Sequence, residues 1–279
     1  MPGWSERERA EEFGGMIRDL VSKPDFASRD MQTVATLSRW FQLECVAHTM
    51  VSQLGAAVRS GPFAGMRLIP VQLGSVLMPK ILGTYESEIA HLFADLGRFR
   101  RVVDVGSAEG YYAVGCPFLH PHIHTLAYDT SEAAQRRCRQ AAELNGVADR
   151  VEQREFCTPE EMARLADGET LFVVDIDGGE IDLLCALPAE RLARAEMIVE
   201  AHKYGATTTE EAIVPHFAAT HDVTVYRQKT KEVDEPLLAQ SPSFTRWLVT
   251  WEGRMNEVWL HLKPKAGGGA PATEAASGI

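Results

Sequence analysis

The chain lacks the marks of a disulfide-built, membrane-spanning or nucleic-acid-coating protein. It has five cysteines in 279 residues, at positions 45, 116, 138, 157 and 185, and no C-x-x-C pair. An odd, scattered set argues against a disulfide scaffold or zinc knuckle and suits a reducing compartment, so a cytoplasmic location is expected. Positive charge is scarce: 28 Lys and Arg stand against 39 Asp and Glu, a net charge of −11. Extended nucleic-acid binding needs clustered cations and is not expected. No apolar run approaches the length of a membrane span, and the acidic, polar N-terminus has no secretory character. The 45% hydrophobic and 24% charged residues are those of a large α/β core with an ordinary surface.

The most informative stretch is Arg101-Val-Val-Asp-Val-Gly-Ser-Ala-Glu-Gly-Tyr-Tyr-Ala-Val-Gly115. A β-branched run ends in Asp104, a tight turn runs from Gly106 to Gly110, and a helical pattern follows. Strand, glycine loop and helix in that order build nucleotide pockets at the carboxyl ends of parallel strands. The spacing is not a full G-x-G-x-x-G, because Ala108 occupies the place of a central glycine. A second apolar run, His124 to Tyr128, ends in Asp129, about twenty residues beyond the loop, where an acid accepts bonds from both hydroxyls of a ribose. Leu171-Phe-Val-Val-Asp-Ile-Asp177 and Glu196-Met-Ile-Val-Glu-Ala-His202 end in polar residues in the same way. Continuous apolar runs of this kind read as buried parallel strands.

Strands are predicted at 101–105, 124–128, 151–154, 171–175, 197–201 and 222–227. Helices are predicted at 109–118, 131–145, 159–166, 179–186 and 209–219, and another opens at Glu86 and runs to Leu96. Helical patterns also cover Trp4 to Val21 and Phe26 to Arg59, with Gly61-Pro-Phe-Ala-Gly65 as the stop and Gly74, Pro79 and Gly83 as turns. The expected organisation is an N-terminal helical cap or dimerisation region at 1–65, an α/β domain at 66–263 and a disordered tail at 264–279. An insertion at 228–256 carries Arg246, Trp247, Trp251 and Arg254, which either line an acceptor pocket or pack the insertion onto the body.

Four segments together resemble the class I S-adenosylmethionine-dependent methyltransferases, closest to the FkbM-type branch. They are Leu82-Gly-Thr-Tyr-Glu86, Val103-Asp-Val-Gly-Ser-Ala-Glu-Gly-Tyr-Tyr112, Val174-Asp-Ile-Asp-Gly-Gly-Glu-Ile-Asp-Leu-Leu184 and Ile198-Val-Glu-Ala-His202. The resemblance covers roughly residues 80–262. It implies a Rossmann-like seven-stranded methyltransferase sheet with helices on both faces and an antiparallel last strand, for which 257–262 is the candidate. It also implies S-adenosylmethionine as cofactor. Tyr85 or Glu86 is expected near the methionine amino group. Asp104, Gly106, Ser107, Ala108 and Gly110 are expected under and around the cofactor, with Asp129 at the ribose. Thr130, Phe156 and Cys157 are placed at the adenosine edge, and Asp175 joins the cofactor set at the next strand end.

A hydroxyl acceptor must lose its proton as it attacks, which a histidine near neutral pH can accept. His202 is the candidate base, with Asp177 to orient it or bind the acceptor; Lys203 and Tyr204 are fallbacks. Asp175, Asp177, Glu200 and His202 could also ligate a divalent ion, an alternative that their spacing does not single out. His120, His122 and His124 read as a surface cluster at the opposite sheet edge. The expected activity is O-methylation of a small metabolite, with homodimerisation through the N-terminal helices. N- or C-methylation, a nicotinamide-dependent reductase and a non-catalytic scaffold stand as alternatives.

Overall fold

The computed structural model describes residues 6–70, 76–204, 207–233, 235–239, 241–253 and 257–266. Readings that fall on Trp4, Gly74, Arg254 and 267–279 lie outside these residues. The chain forms two compact units, Met1–Ser87 with Thr230–Met255, and Glu88–Lys229 with Asn256–Ile279.

The second unit is an α/β sheet. Its strands are β1 (Arg101–Val105), β2 (His124–Tyr128), β3 (Val151–Arg154), β4 (Thr170–Val174), β5 (Glu196–Glu200), β8 (His221–Arg227) and β9 (Val258–Pro264), with a two-residue hairpin of β6 (Lys203–Tyr204) and β7 (Thr207–Thr208). The sheet order is β3-β2-β1-β4-β5-β9-β8. The first five are parallel, and β9 runs antiparallel to both its neighbours. This is the Rossmann-like seven-stranded sheet, with its last strand antiparallel, expected from the sequence. The central strands β4 and β5 are buried throughout, whereas the edge strand β8 alternates with solvent. That contrast follows from helices covering both faces of the parallel centre.

The connecting helices are α4 (Tyr111–Leu119), α5 (Glu132–Leu144), α6 (Pro159–Leu165), α7 (Glu180–Leu184) and α8 (Thr209–Phe217). Local chemistry starts them. Ser131 Oγ accepts from the Ala134 amide at 3.3 Å, and Thr158 Oγ1 from the Glu161 amide at 3.1 Å with Pro159 in the first turn. Thr208 and Glu211 form a reciprocal capping box. Phe172, Val174, Met197, Val199, Ile213, Phe217 and Leu260 fill the core against one face of the sheet.

The first unit is helical: α1 (Glu6–Val21), α2 (Ser28–Leu54), α3 (Leu77–Leu82) and α9 (Ser243–Thr250). Arg9 joins α1 to α2 through both oxygens of Glu44, each at 2.6 Å, beside a Phe13–Phe41 ring contact. In the insertion, Trp251 packs on Trp40 at 5.5 Å and stacks with Trp247 at 6.0 Å. Arg246 is turned to the Ser241 carbonyl. Among the described residues no helix is long and apolar enough to cross a membrane.

Two expectations need correction. Residues 86–96 do not form an α-helix: Glu86 adopts a left-handed backbone (φ 45°), and only Ala90–Phe93 makes a single 3-10 turn. Asp95 then accepts from the Gly97 amide and closes the segment. The second N-terminal helix ends at Leu54, because Gly55 (φ 75°) caps it well before Gly61.

Candidate functional site at the carboxyl ends of the central strands

Strand order reverses between β1 and β4, and open α/β sheets bind ligands at such a reversal. Gly106 leaves β1 there with φ 89°, and its amide and that of Ser107 both donate to the Tyr128 carbonyl. A Cβ on Gly106 would overlap the Asp175 carbonyl oxygen and lie 2.7 Å from its carbon. The loop therefore seats directly against the end of β4, and only glycine fits. Ala108, where the motif lacks its glycine, nevertheless takes a left-handed backbone (φ 45°). It is held there by its amide's bond to Asp129 Oδ2 at 2.9 Å. Gly110 (φ 89°) caps α4 with no room for a Cβ beside Cys138 Sγ. Asp104 is buried beneath the loop, and its charge adds to burial in pushing the Cys116 and Cys138 thiols up.

Asp129 follows β2. Its Oδ1 accepts from the Ser131 amide at 2.8 Å, so both carboxylate oxygens are fixed while the residue stays part-exposed. Thr130 beside it is exposed. Phe156, beyond β3, is 67% exposed, whereas Cys157 is buried in the core with Met162 and Leu165. Ser107 Oγ is buried without a hydrogen-bond partner.

At the ends of β4 and β5 four acids and one histidine converge. Glu180 is fully buried. Its Oε1 takes bonds from His202 Nδ1 at 2.8 Å, from the Gly178 amide at 3.2 Å and from the Ile176 amide at 3.3 Å, and Thr209 Oγ1 approaches its Oε2. The backbone makes this turn with left-handed Asp177 (φ 52°) followed by Gly178 (φ 107°). Burial works to raise the Glu180 carboxyl, but the bonds from His202 and the backbone outweigh it and hold the group below its usual range. Burial likewise pulls His202 down, and its bond to Glu180 with the charges of Glu180, Asp175 and Asp177 carries it above the ordinary imidazole value.

His202 Nε2 faces the remaining acids: Asp177 Oδ1 at 3.5 Å, Asp175 Oδ1 at 3.8 Å and Glu200 Oε2 at 3.9 Å. The Asp177 side chain is otherwise 93% exposed. Glu180 is thus the residue that orients the ring, a role the sequence reading offers to Asp177 beside that of binding the acceptor. The one available signal was an acid directly after Gly178-Gly179. His122 and His124 are exposed at the opposite edge, whereas His120 is part-buried and bonds the Phe93 carbonyl at 3.0 Å.

Tyr85 and Glu86 belong to the first unit. There Lys80 Nζ stands 4.6 Å from the Tyr85 ring centre, and the buried Glu86 donates its amide to Glu252 Oε1. Glu252 is in turn ion-paired to the buried Lys231.

No family model matches the chain, and no curated protein matches it. Among solved structures it is similar to the delta-N METTL16 MTase domain, at 11% identity and TM-score 0.49, covering 80% of this chain and 95% of that one. It is also similar to cofactor-bound Rv0187 from MTB, at 16% identity and TM-score 0.42 over 64% and 79% of the two chains. A third is the C-terminal domain of precorrin-6Y C5,15-methyltransferase from Rhodobacter capsulatus, at 14% identity and TM-score 0.42 over 63% and 89%.

Proposed function

We propose that this chain is an S-adenosylmethionine-dependent methyltransferase that methylates a hydroxyl of a small metabolite. The residues of the second unit fit the cofactor. Asp129 offers ribose hydroxyls a fixed carboxylate, and its two oxygens each keep a lone pair beyond the amide they already accept. Exposed Phe156 offers a flat face to an adenine, and Ser107 Oγ is a buried hydroxyl whose bonding a ligand would complete. The cofactor supplies a methyl group on a sulfonium, which passes in line to the attacking oxygen while the C–S electron pair stays on sulfur. The protein's part is position and removal of the proton.

One observation carries the acceptor class: His202, at the carboxyl end of β5, is anchored through Nδ1 by a buried carboxylate, so that Nε2 is the ring nitrogen presented at the strand ends. That arrangement fixes the tautomer and orients the nitrogen that meets the hydroxyl's proton. The net charge of −11 supports a small acceptor over an extended nucleic acid.

Calorimetric titration tests the reading. The wild-type protein binds S-adenosylmethionine and S-adenosylhomocysteine saturably and does not bind NADH. Asp129→Ala loses at least about 100-fold in affinity, since two hydrogen bonds to a charged acceptor are worth about 3 kcal/mol or more together. Failure of the wild type to bind either sulfur ligand, or wild-type affinity in Asp129→Ala, would refute it.

A further inference from the structure

We propose that Asp175, Glu200 and His202 form a binding site for a first-row divalent cation of the Mn²⁺ class. The site lies within the second unit. One ligand atom from each residue, two carboxylate oxygens and an imidazole nitrogen, lie within 4.8 Å of one another.

The geometry around His202 distinguishes an ion site from an ordinary ion pair. Nε2 is buried and has no hydrogen-bond partner. Were it an N–H paired to an acid, one carboxylate would close to about 2.8 Å. Instead the oxygens of Asp177, Asp175 and Glu200 stand off at 3.5, 3.8 and 3.9 Å. Around an ion with bonds of roughly 2.1 Å, neighbouring ligand atoms stand about 3.0–3.5 Å apart. The two legs from His202 to Asp175 and Glu200 need to contract by only a few tenths of an ångström to reach the upper end of that range, and the two carboxylate oxygens lie within 4.8 Å of each other.

The next layer of residues also suits an ion. Metal-bound imidazoles characteristically donate their other N–H to a carboxylate, which fixes the tautomer and makes the ligating nitrogen more basic. Glu180 does this at 2.8 Å, and it is itself held by the Ile176 and Gly178 amides. One nitrogen with two carboxylates suits Mn²⁺, Fe²⁺ or Zn²⁺ better than Ca²⁺, which takes an all-oxygen shell of higher coordination number. Three protein ligands leave positions open for an acceptor's oxygen. An ion there would lower the pKa of that hydroxyl, so that its proton is lost to water; in the ion-bound protein Nε2 is a ligand, and the ion takes over the part that Nε2 plays as base when no ion is bound. This catalytic use rests on the methyl-transfer reading; binding of the ion does not.

The test is a titration of chelator-stripped full-length protein with Mn²⁺ alone, followed by loss of the free-ion paramagnetic resonance signal. S-adenosylmethionine is titrated by calorimetry into the same metal-free stock. Wild-type protein is expected to take up one Mn²⁺ saturably. Glu180→Gln is expected to weaken it about 10- to 100-fold and Glu200→Gln by at least as much, while Glu190→Gln, an exposed acid elsewhere, leaves it unchanged. Because wild-type protein alone decides whether an ion binds, a poorly folded variant does not blunt the test. No saturable uptake by the wild type overturns the proposal, as does unchanged uptake in a folded Glu200→Gln protein. S-adenosylmethionine binding without Mn²⁺ uptake would leave the methyltransferase reading standing and remove the ion. Mn²⁺ uptake without S-adenosylmethionine binding would do the reverse.

Discussion

Replacing Gly106 with alanine tests whether the β1 loop is seated against the end of β4 as described. Two costs apply. The first is the left-handed backbone at φ 89°, which penalises any Cβ by about 1–2 kcal/mol. The second is the overlap of that Cβ with the Asp175 carbonyl, where the obstacle is backbone and cannot swing aside. Forcing extra atoms into packed structure costs about 1–3 kcal/mol. Gly146→Ala is the matched control, because Gly146 is also left-handed (φ 67°) but has nothing within 4 Å of a built Cβ. Both substitutions stiffen the unfolded chain equally, so that contribution cancels in the comparison. The control should lose about 1 kcal/mol and about 2–4 °C in Tm, and Gly106→Ala about 2–5 kcal/mol and about 5–15 °C. Thermal unfolding followed by circular dichroism reads both. If the two variants melt within about 2 °C of each other, the close approach of Gly106 to Asp175 is wrong. The strand-end site built on it would then fail too.

Two further expectations, at Glu180 and His221, are independent of that loop, and a third concerns Asp129, which holds it. Glu180→Ala removes a buried carboxylate that His202 and two backbone amides share, and should cost about 3–5 kcal/mol in urea unfolding. Glu180→Gln, which keeps the shape and one acceptor, should cost clearly less; equal losses would mean that the charge alone carries the contribution and the retained acceptor none. His221 is buried with Nε2 donating to the Ala195 carbonyl and Nδ1 accepting from Thr220 Oγ1, and burial sets its pKa below the ordinary value. The folded state therefore binds its proton less readily than the unfolded state. The stability it provides is complete above about pH 6.5 and falls as pH drops below that, by up to about 1.4 kcal/mol per pH unit. The difference in unfolding free energy between wild type and His221→Gln should shrink from pH 7.5 to 5.5, and a constant difference would refute the assignment. Asp129→Ala should abolish tight cofactor binding while shifting Tm by only a few degrees, which separates a binding defect from unfolding.

Strand positions were legible from residue type because they depend on little else. A buried parallel strand is an uninterrupted apolar run, and 101–105 and 124–128 coincide with β1 and β2 residue for residue, as 151–154 does with the polar edge strand β3. The acids that end those runs were legible too, and Asp104, Asp129 and Asp175 lie where the pattern puts them. What the pattern could not decide was direction. An acid one or two residues past a strand can face in or out, and the choice depends on one backbone dihedral. Asp177 reads as the residue that orients His202 or binds the acceptor, yet its left-handed backbone leaves its side chain 93% exposed. Glu180 reads as an unremarkable acid in a helix's first turn, yet the same reversal at Asp177 and Gly178 brings it under the strand end to hold His202, 22 residues away. The acid-rich 86–96 segment failed in the same way. Its composition is helical, and a single left-handed Glu86, whose amide is bonded by Glu252 166 residues on, overrides it. In each case a long-range polar contact selects a local conformation that propensity alone disfavours. Those contacts are also what make the strand-end acids a site: without the turn at Asp177 and Gly178, His202 would lose its anchor and present no fixed nitrogen to an ion or a hydroxyl.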